Sequence, residues 1–266
     1  MKPILKWVGG KQKIIQQLLD NVPNNFNTYY EPFLGSGTLF FALEPKKAVI
    51  GDINLELINF YKILAYCPDS LIFHLGLYEN TREFYYKTRN LDRVSYYKIM
   101  DRVEKAARFL YLNKTCFNGL YRVNKKGQFN VPYGNYDYKN KEYYDKELLI
   151  EAGDFIASNN ISIAGGDYQH ITRNISEGDF IYLDPPYYNS YNQYNPDVFK
   201  DYRHLQLKRF VDYCTEKNIK VMLSNSDDEY IRKIYSEYTI KTISLKRSVN
   251  PNSKNKKTTE LLIVNY

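Results

Sequence analysis

The order of apolar runs and glycines between residues 28 and 52 most constrains the fold of this chain. It predicts, in sequence, a strand at 28–33, a tight turn at Gly35-Ser36-Gly37, a short helix at 38–43, and a strand at 46–51 that ends on Asp52. In a nucleotide-binding α/β unit the glycines admit a ligand close to the backbone, and the acidic residue accepts ribose hydroxyls. Phe40 stands where a dinucleotide fingerprint has its third glycine. The pattern therefore favours a compact nucleoside such as S-adenosylmethionine over a pyrophosphate.

A second pattern, Asp184-Pro185-Pro186-Tyr187, follows the apolar residues 180–183. Those residues predict a buried strand, and open α/β sheets bind ligands at the carboxyl ends of their strands. The two prolines fix φ and remove two backbone donors, so the turn offers acceptors beneath an aromatic ring. Asp184 and the Pro185 carbonyl could accept the two N–H groups of adenine's exocyclic amine and stabilise charge that develops on it. An ordinary turn after a strand is the alternative.

The net charge of +7 over 266 residues is unevenly distributed. Residues 81–147 carry fifteen basic and eight acidic side chains, and residues 246–257 carry five basic side chains and no acidic one. The rest of the chain has a net charge of −5. Such concentration is typical of nucleic-acid binding, although solvated helix faces would give the same runs.

The cysteines and histidines do not predict a disulfide framework or a metal site. Cys67, Cys116 and Cys214 lie far apart in the sequence, and the three histidines form no ligand cluster. The amino terminus has no apolar signal core, and no apolar run approaches the length of a membrane span. We therefore expect a cytoplasmic protein, monomeric in solution, without a metal cofactor and without contact with a membrane.

The middle of the chain departs from the nucleotide-binding pattern. Helical periodicity is visible at 54–64, at 81–91 and at 95–112, where Ile99, Val103, Ala106, Phe109 and Leu110 can share a face. Residues 116–124 and 128–134 are β-prone and are joined by a Gly127 turn, which predicts a hairpin. Leu120, Arg122 and Asn124 alternate and would point to one side, where they could meet base edges. A purely structural hairpin is the alternative.

Five motifs in this order resemble those of the Dam-type (group alpha) DNA adenine-N6 methyltransferases, and they span nearly the whole chain. They are Lys6-Trp7-Val8-Gly9-Gly10-Lys11, Glu31-Pro32-Phe33-Leu34-Gly35-Ser36-Gly37, Asp52, Asn118-Gly119-Leu120-Tyr121-Arg122 and Asp184-Pro185-Pro186-Tyr187. The resemblance implies transfer of a methyl group from S-adenosylmethionine to adenine N6 in double-stranded DNA, with Asp184 to Tyr187 as the catalytic turn. It implies cofactor binding by Trp7, Gly10, Lys11, Phe33, Gly35, Gly37, Asp52, Asp167, Tyr168 and Asp184.

The same resemblance implies that Leu120, Arg122, Asn124 and Pro132 read the outer part of a GATC or other GA-containing site. From the residues alone, Asp167, after a strand at 161–164, could equally be a helix cap. The polar and aromatic residues 188–196 predict a mobile loop that orders over the extruded adenine or the DNA backbone. A partner restriction endonuclease is compatible with this family.

The carboxyl-terminal part completes the predicted sheet, with helices at 204–217 and 227–235 and strands at 219–223, 238–245 and 260–264. The last two strands would form a hairpin whose basic loop, with Lys254, Lys256 and Lys257, grips phosphates. We therefore expect an α/β, Rossmann-like methyltransferase fold, mostly parallel with an antiparallel last strand. Residues 1–54 and 160–266 would form the catalytic domain, and residues 55–159 an inserted helical and hairpin domain that recognises DNA. A methyltransferase for RNA or protein amides, and a non-enzymatic DNA-binding module, are the competing classes.

Overall fold

The computed structural model describes residues 1–136, 142–189, 201–245 and 258–266. In this part of the chain seven strands form one sheet in the order β3-β2-β1-β4-β5-β7-β6. The strands are β1 (Tyr29–Glu31), β2 (Lys47–Asp52), β3 (Asn160–Gly165), β4 (Phe180–Leu183), β5 (Lys220–Ser226), β6 (Thr239–Leu245) and β7 (Thr258–Val264).

The sheet is parallel from β3 to β5, and β7 runs antiparallel to both β5 and β6. The four residues of β4 are fully buried, as expected for a central strand covered on both faces. The prediction of an α/β fold with an antiparallel last strand is confirmed. The strand predicted at 28–33 is shorter than expected, because Pro32 has no N–H to donate to a ladder.

Helices connect these strands and cover the sheet. They are α1 (Ile15–Leu19), α2 (Thr38–Leu43), α3 (Leu55–Tyr66), α4 (Pro68–Gly76), α5 (Arg82–Arg89), α6 (Tyr96–Ile99), α7 (Arg102–Thr115), α8 (Lys146–Ser158), α9 (Tyr168–Ile171), α10 (Asp201–Glu216) and α11 (Glu229–Ile234). Short 3-10 helices occupy Lys11–Ile14, Asn90–Arg93 and Phe117–Gly119. The sequence pattern does not predict α4 or α8. Helix α4 packs against α3 and α7, and α8 packs against α3 and α4.

The single helix predicted at 95–112 is wrong, because the chain breaks between α6 and α7. Met100 is extended, with ψ of 137°, and the Asp101 carboxylate accepts a hydrogen bond of 2.7 Å from the N–H of Val103. This cap starts a new helix. Ile99 lies on the first helix and is 81% exposed, so it does not share the buried face of Ala106, Phe109 and Leu110.

The predicted hairpin at 116–134 has no regular strands. Its two limbs meet at two isolated bridges, Cys116 with Tyr133 and Val123 with Phe129. The Asn124 carboxamide oxygen accepts from the N–H groups of Lys126 and Gln128, which closes the turn between the limbs. Other elements take part of the second limb's backbone, since Asp92 accepts from the N–H of Phe129 and Arg93 donates to its carbonyl. We call residues 116–134 the recognition loop, after the role that the sequence predicts for them.

The hydrophobic core is continuous between the sheet and residues 55–159. One buried cluster includes Tyr29 of β1, Phe60 of α3, Phe109 of α7 and Phe129 of the recognition loop. A second cluster lies between β5 and the helices α10 and α11. Among the described helices, the longest has sixteen residues, and none has the length and apolar character of a membrane span.

Candidate active site

A cavity of about 710 Å³ opens at the carboxyl ends of β1, β2, β3 and β4. Because the strands are parallel, the turns that follow them meet at one edge of the sheet. The lining includes Trp7, Gly10, Lys11, Glu31, Phe33, Gly35, Asp52, Leu120, Tyr121, Asp167, Tyr168, Asp184, Pro185, Pro186, Tyr187 and Arg203. The fold thus gathers residues that lie up to 196 positions apart in the sequence, from Trp7 to Arg203.

The glycine turn after β1 allows Trp7 to lie against the backbone. Gly35 has φ of +49°, and a Cβ built there would lie 2.7 Å from Cδ1 of Trp7. The N–H of Gly35 donates to Oδ2 of Asp52 at 3.0 Å, and the N–H of Asn54 donates to Oδ1 at 2.9 Å. Burial raises the pKa of Asp52, and these hydrogen bonds oppose the rise. The carboxylate at the end of β2 is therefore fixed in direction by its neighbours.

Lys11 and Asp184 form a buried ion pair between the first loop and the turn after β4. Lys11 Nζ lies 2.8 Å from Oδ2 of Asp184 and also donates to the carbonyl of Gly9 at 2.7 Å. Burial raises the pKa of Asp184, whereas the adjacent Lys11 charge lowers it. Asp184 Oδ1 is also buried and has no hydrogen-bond partner among the described residues. A buried acceptor without a donor indicates a place for a ligand's N–H.

A second carboxyl group, Glu31, lies at the end of β1 and lines the same cavity. Its Oε2 accepts from the hydroxyl of Tyr29 at 2.6 Å and from the N–H of Phe40 at 3.1 Å. Burial raises the pKa of Glu31 to about 8, opposed by the hydrogen bond from Tyr29. The group therefore carries its proton at neutral pH, which leaves one negative charge, that of Asp184, opposite Lys11.

At the far end of the cavity, the ring of Phe33 stacks on Tyr168 with centroids 5.6 Å apart. The side chain of Asp167 accepts a hydrogen bond of 3.1 Å from the N–H of Gln169 and caps α9. The structure therefore shows the helix cap that the sequence offered as an alternative. Asp167 also lines the cavity, and Arg203 Nη1 lies 3.9 Å from its Oδ2. A capping role and a ligand-binding role are therefore compatible at this residue.

The recognition loop reaches the cavity with its first limb. Leu120 and Tyr121 line it, and the Tyr121 ring stacks on Trp7 at 5.6 Å. Arg122, Asn124 and Pro132 do not line it; Arg122 Nε donates to Oδ1 of Asn130 at 2.7 Å. Lys254, Lys256, Lys257 and the loop beyond residue 189 lie outside the described residues.

Sequence reasoning did not assign a role to three residues that line the cavity, Glu31, Tyr121 and Arg203. Glu31 had a usable signal, because a carboxyl group inside a predicted buried strand needs a partner. The alternation of side chains along the predicted strand favours Leu120 and Arg122, so it gives no signal for Tyr121 between them. Arg203 had no local signal, since it reaches the cavity from α10.

The sequence profile of the D12 class N6 adenine-specific DNA methyltransferases matches residues 7–249. The chain belongs to this family. It is therefore an adenine-specific DNA methyltransferase, and the family activity is methyl transfer to N6 of adenine. The five motifs of the sequence lie within or next to the matched region, and each of them contributes residues to the lining of the cavity.

Relatives of this methyltransferase align over its full length. A type II methyltransferase of Lactococcus lactis subsp. cremoris is 38% identical, with 100% of this chain and 96% of the relative covered. A type II methyltransferase of Methanocaldococcus jannaschii is 37% identical, with coverage of 100% and 99%. A DNA adenine methylase of Haemophilus influenzae is 30% identical, with coverage of 99% and 93%. The similarity thus includes both the sheet and the residues between β2 and β3.

Proposed function

We propose that this methyltransferase transfers a methyl group from S-adenosylmethionine to N6 of an adenine flipped out of double-stranded DNA, at a GATC or other GA-containing site. The observation that carries the proposal is that the Gly35 turn and the Asp184-Pro185-Pro186-Tyr187 turn line one cavity. A nucleoside cofactor and a target base held by these two turns would be neighbours. The type II names of two relatives support a role beside a cognate restriction endonuclease.

The cavity fits S-adenosylmethionine in size and in the chemistry of its lining. Its volume lies within the range of small-molecule sites, roughly 300–1,000 Å³. Trp7, Gly35 and Asp52 would hold the nucleoside, and Asp167 and Tyr168 would contact the adenine of the cofactor. When bound, the cofactor supplies an electrophilic methyl group on a sulfonium centre. The lack of a side chain at Gly35 keeps this wall of the cavity close to the backbone.

Asp184 and Pro185 would bind the amine of the target base. Oδ2 of Asp184 is engaged by Lys11, so Oδ1, which has no donor among the described residues, is available for one N–H. The carbonyl of Pro185 would accept the second. Both acceptors stabilise the positive charge that develops as the nitrogen attacks, which is electrostatic stabilisation of the transition state. Tyr187 would stack on the base and fix its plane.

A base inside a duplex cannot reach this cavity, so the target adenine must leave the helix, at an unstacking cost of a few kcal/mol. Contacts with phosphates offset this cost. Exposed basic side chains between residues 81 and 136, such as Lys125 and Lys126, would supply such contacts, and Leu120 places the recognition loop beside the cavity. Arg122, Asn124 and Pro132, which lie outside the cavity, are then free to contact the flanking base pairs.

The decisive experiment is to express the protein in a methylation-deficient host and sequence its DNA with single-molecule detection of N6-methyladenine. We expect one modified motif that contains GA, and GATC would support the assigned base contacts. The Asp184→Ala variant, expressed at the same level, serves as the control and should leave the DNA unmodified. Unmodified DNA in cells that contain folded wild-type protein would contradict the proposal and direct attention to RNA or protein substrates.

A further inference from the structure

Tyr187 is held from outside the cavity by β7. Its hydroxyl donates a hydrogen bond of 2.8 Å to Oε2 of Glu260, the third residue of that strand. Because β7 runs antiparallel to β5, its first residues lie at the edge of the sheet where the parallel strands end. Glu260 pairs there with Ser226 of β5 and Ile243 of β6. The last strand thus places a carboxylate behind the acceptor turn.

The backbone that follows Tyr187 is fixed by β5. The N–H of Tyr188 donates to Oδ1 of Asn225 at 3.1 Å, and Ser226 Oγ donates to the carbonyl of Tyr188 at 2.8 Å. The ring of Tyr188 stacks on Tyr230 with centroids 4.7 Å apart. These contacts fix where the main chain leaves the turn, but they do not set the rotation of the Tyr187 ring about its own side-chain bonds.

The contacts of the Tyr187 side chain include one at its ring and one at its hydroxyl. Lys11 Nζ lies 4.8 Å from the ring centroid, and Glu260 accepts from the hydroxyl at the far end. Burial raises the pKa of Tyr187 well above its usual value, and the charges of Asp184 and Glu260 act in the same direction. The hydroxyl therefore keeps its proton and remains a donor to Glu260 across the working pH range.

We propose that Glu260 is a positioning residue for methyl transfer: by accepting from the Tyr187 hydroxyl, it fixes the plane of the ring on which the target adenine stacks. This inference rests on the proposed function, because it requires Tyr187 to contact the flipped base. Glu260 does not line the cavity and acts through Tyr187. A base stacked on a ring that rotates freely would present its amine to the methyl group less often.

The test is a double-mutant cycle on the single-turnover rate of methyl transfer, with S-adenosylmethionine and duplex DNA from a methylation-deficient strain. We expect Glu260→Ala to lower the rate by about tenfold or more, the usual effect of losing a hydrogen bond to a charged group. Tyr187→Phe keeps the ring and loses the hydroxyl, so it should show a similar loss. The double variant should lose no more than either single variant, since both changes remove the same contact.

Two further variants separate positioning from structural support. Glu260→Gln keeps an acceptor oxygen and should retain most of the turnover, and Glu229→Ala, an exposed glutamate on α11, is the matched surface control. All variants should bind the cofactor with wild-type affinity. If Glu260→Ala unfolds, Glu260→Met fills a similar space without an acceptor and takes its place in the cycle.

Losses that multiply in the double variant, or a Glu260→Ala rate within about twofold of wild type, would overturn the assignment. So would a Glu260→Gln variant as slow as Glu260→Ala. Wild-type methylation of the same DNA tests the proposed function separately. An active wild type with multiplying losses therefore removes only the role of Glu260, whereas a wild type inactive on duplex DNA removes both.

Discussion

Three ionisable side chains, Asp184, Lys11 and Glu31, lie buried close together at the active site. Lys11 pairs with Asp184 at 2.8 Å, and burial keeps Glu31 protonated. If both carboxyl groups were charged, the buried site would hold two negative charges against one positive charge, which is costly at low dielectric. The arrangement leaves Asp184 paired with Lys11 and Glu31 as a neutral acceptor for the N–H of Phe40 in α2.

Replacement of Asp184 by alanine should abolish most methyl transfer without preventing DNA binding. The change removes the acceptor for the amine and leaves Lys11 unpaired, and loss of one such stabilising group costs about a hundredfold or more in rate. Radiolabelled methyl transfer and a gel-shift assay measure the two properties. The exposed Asp154→Ala on α8 is the control. Near-normal turnover of Asp184→Ala would rule out the proposed role.

Glu31 predicts a pH dependence of stability. Its pKa is about 8 in the folded chain and near 4.5 when unfolded, so the unfolded state binds fewer protons between these values. The free energy of unfolding should therefore fall as the pH rises from about 5 to 8, by as much as a few kcal/mol. Urea unfolding across this range measures it. Glu31→Gln, which cannot ionise, should show a flatter profile, and equal slopes for both proteins would contradict the prediction.

At the residue level, the sequence predicted those residues of the candidate site that lie at the carboxyl ends of strands. Asp52 ends β2, and Asp167 and Asp184 follow β3 and β4, so parallel strands alone bring them together. Trp7 and Lys11 could be assigned only from the family resemblance. They lie in a loop before the first strand, so the predicted order of strands does not indicate where that loop packs. Arg203 and Glu260 could not be assigned from local pattern, since their partners lie on other elements.

At the level of elements, the recognition loop shows how tertiary contacts override a local pattern. Alternation predicted two paired strands, but the carboxylate of Asp92 and the guanidinium of Arg93 bind the backbone of Phe129. The N–H and the carbonyl of Phe129 are then not available for the hydrogen bonds of a regular β-ladder. The strands and helices of the sheet were predicted with small shifts in their ends, because their apolar periodicity is strong and their caps are local.

Arg122→Ala should relax discrimination at one base pair of the target. The side chain lies outside the cavity and bonds to Asn130, so its loss leaves the catalytic turn unchanged. A bidentate contact with a base is worth about 1–3 kcal/mol of discrimination. Methylation rates on duplexes with single base changes measure it. Lys125→Ala, on the exposed turn of the same loop, should instead weaken binding to all sequences equally, and full discrimination by Arg122→Ala would contradict the assignment.

At the level of the whole molecule, the net charge of +7 should appear as strong salt dependence of DNA binding. Changing Lys254, Lys256 and Lys257 to alanine should weaken binding to every duplex and flatten the slope of log K against log salt by up to about 2.7. Fluorescence anisotropy at several salt concentrations measures the slope. Lys46→Ala with Lys47→Ala, at the opposite edge of the sheet, is the control. An unchanged slope for the triple variant would exclude phosphate contacts by these lysines.

The core shared by the sheet and residues 55–159 limits how this enzyme can be redesigned. Phe60, Phe109 and Phe129 belong to the same buried cluster as Tyr29 of β1. Transplanting the whole insertion from a relative would therefore require its apolar contacts with the sheet to be rebuilt as well. Arg122, Asn124 and Pro132 are only partly buried or exposed. If these residues contact the target, as proposed, new target sites should be accessible by changing a few positions of one loop while the phenylalanines of the core are kept.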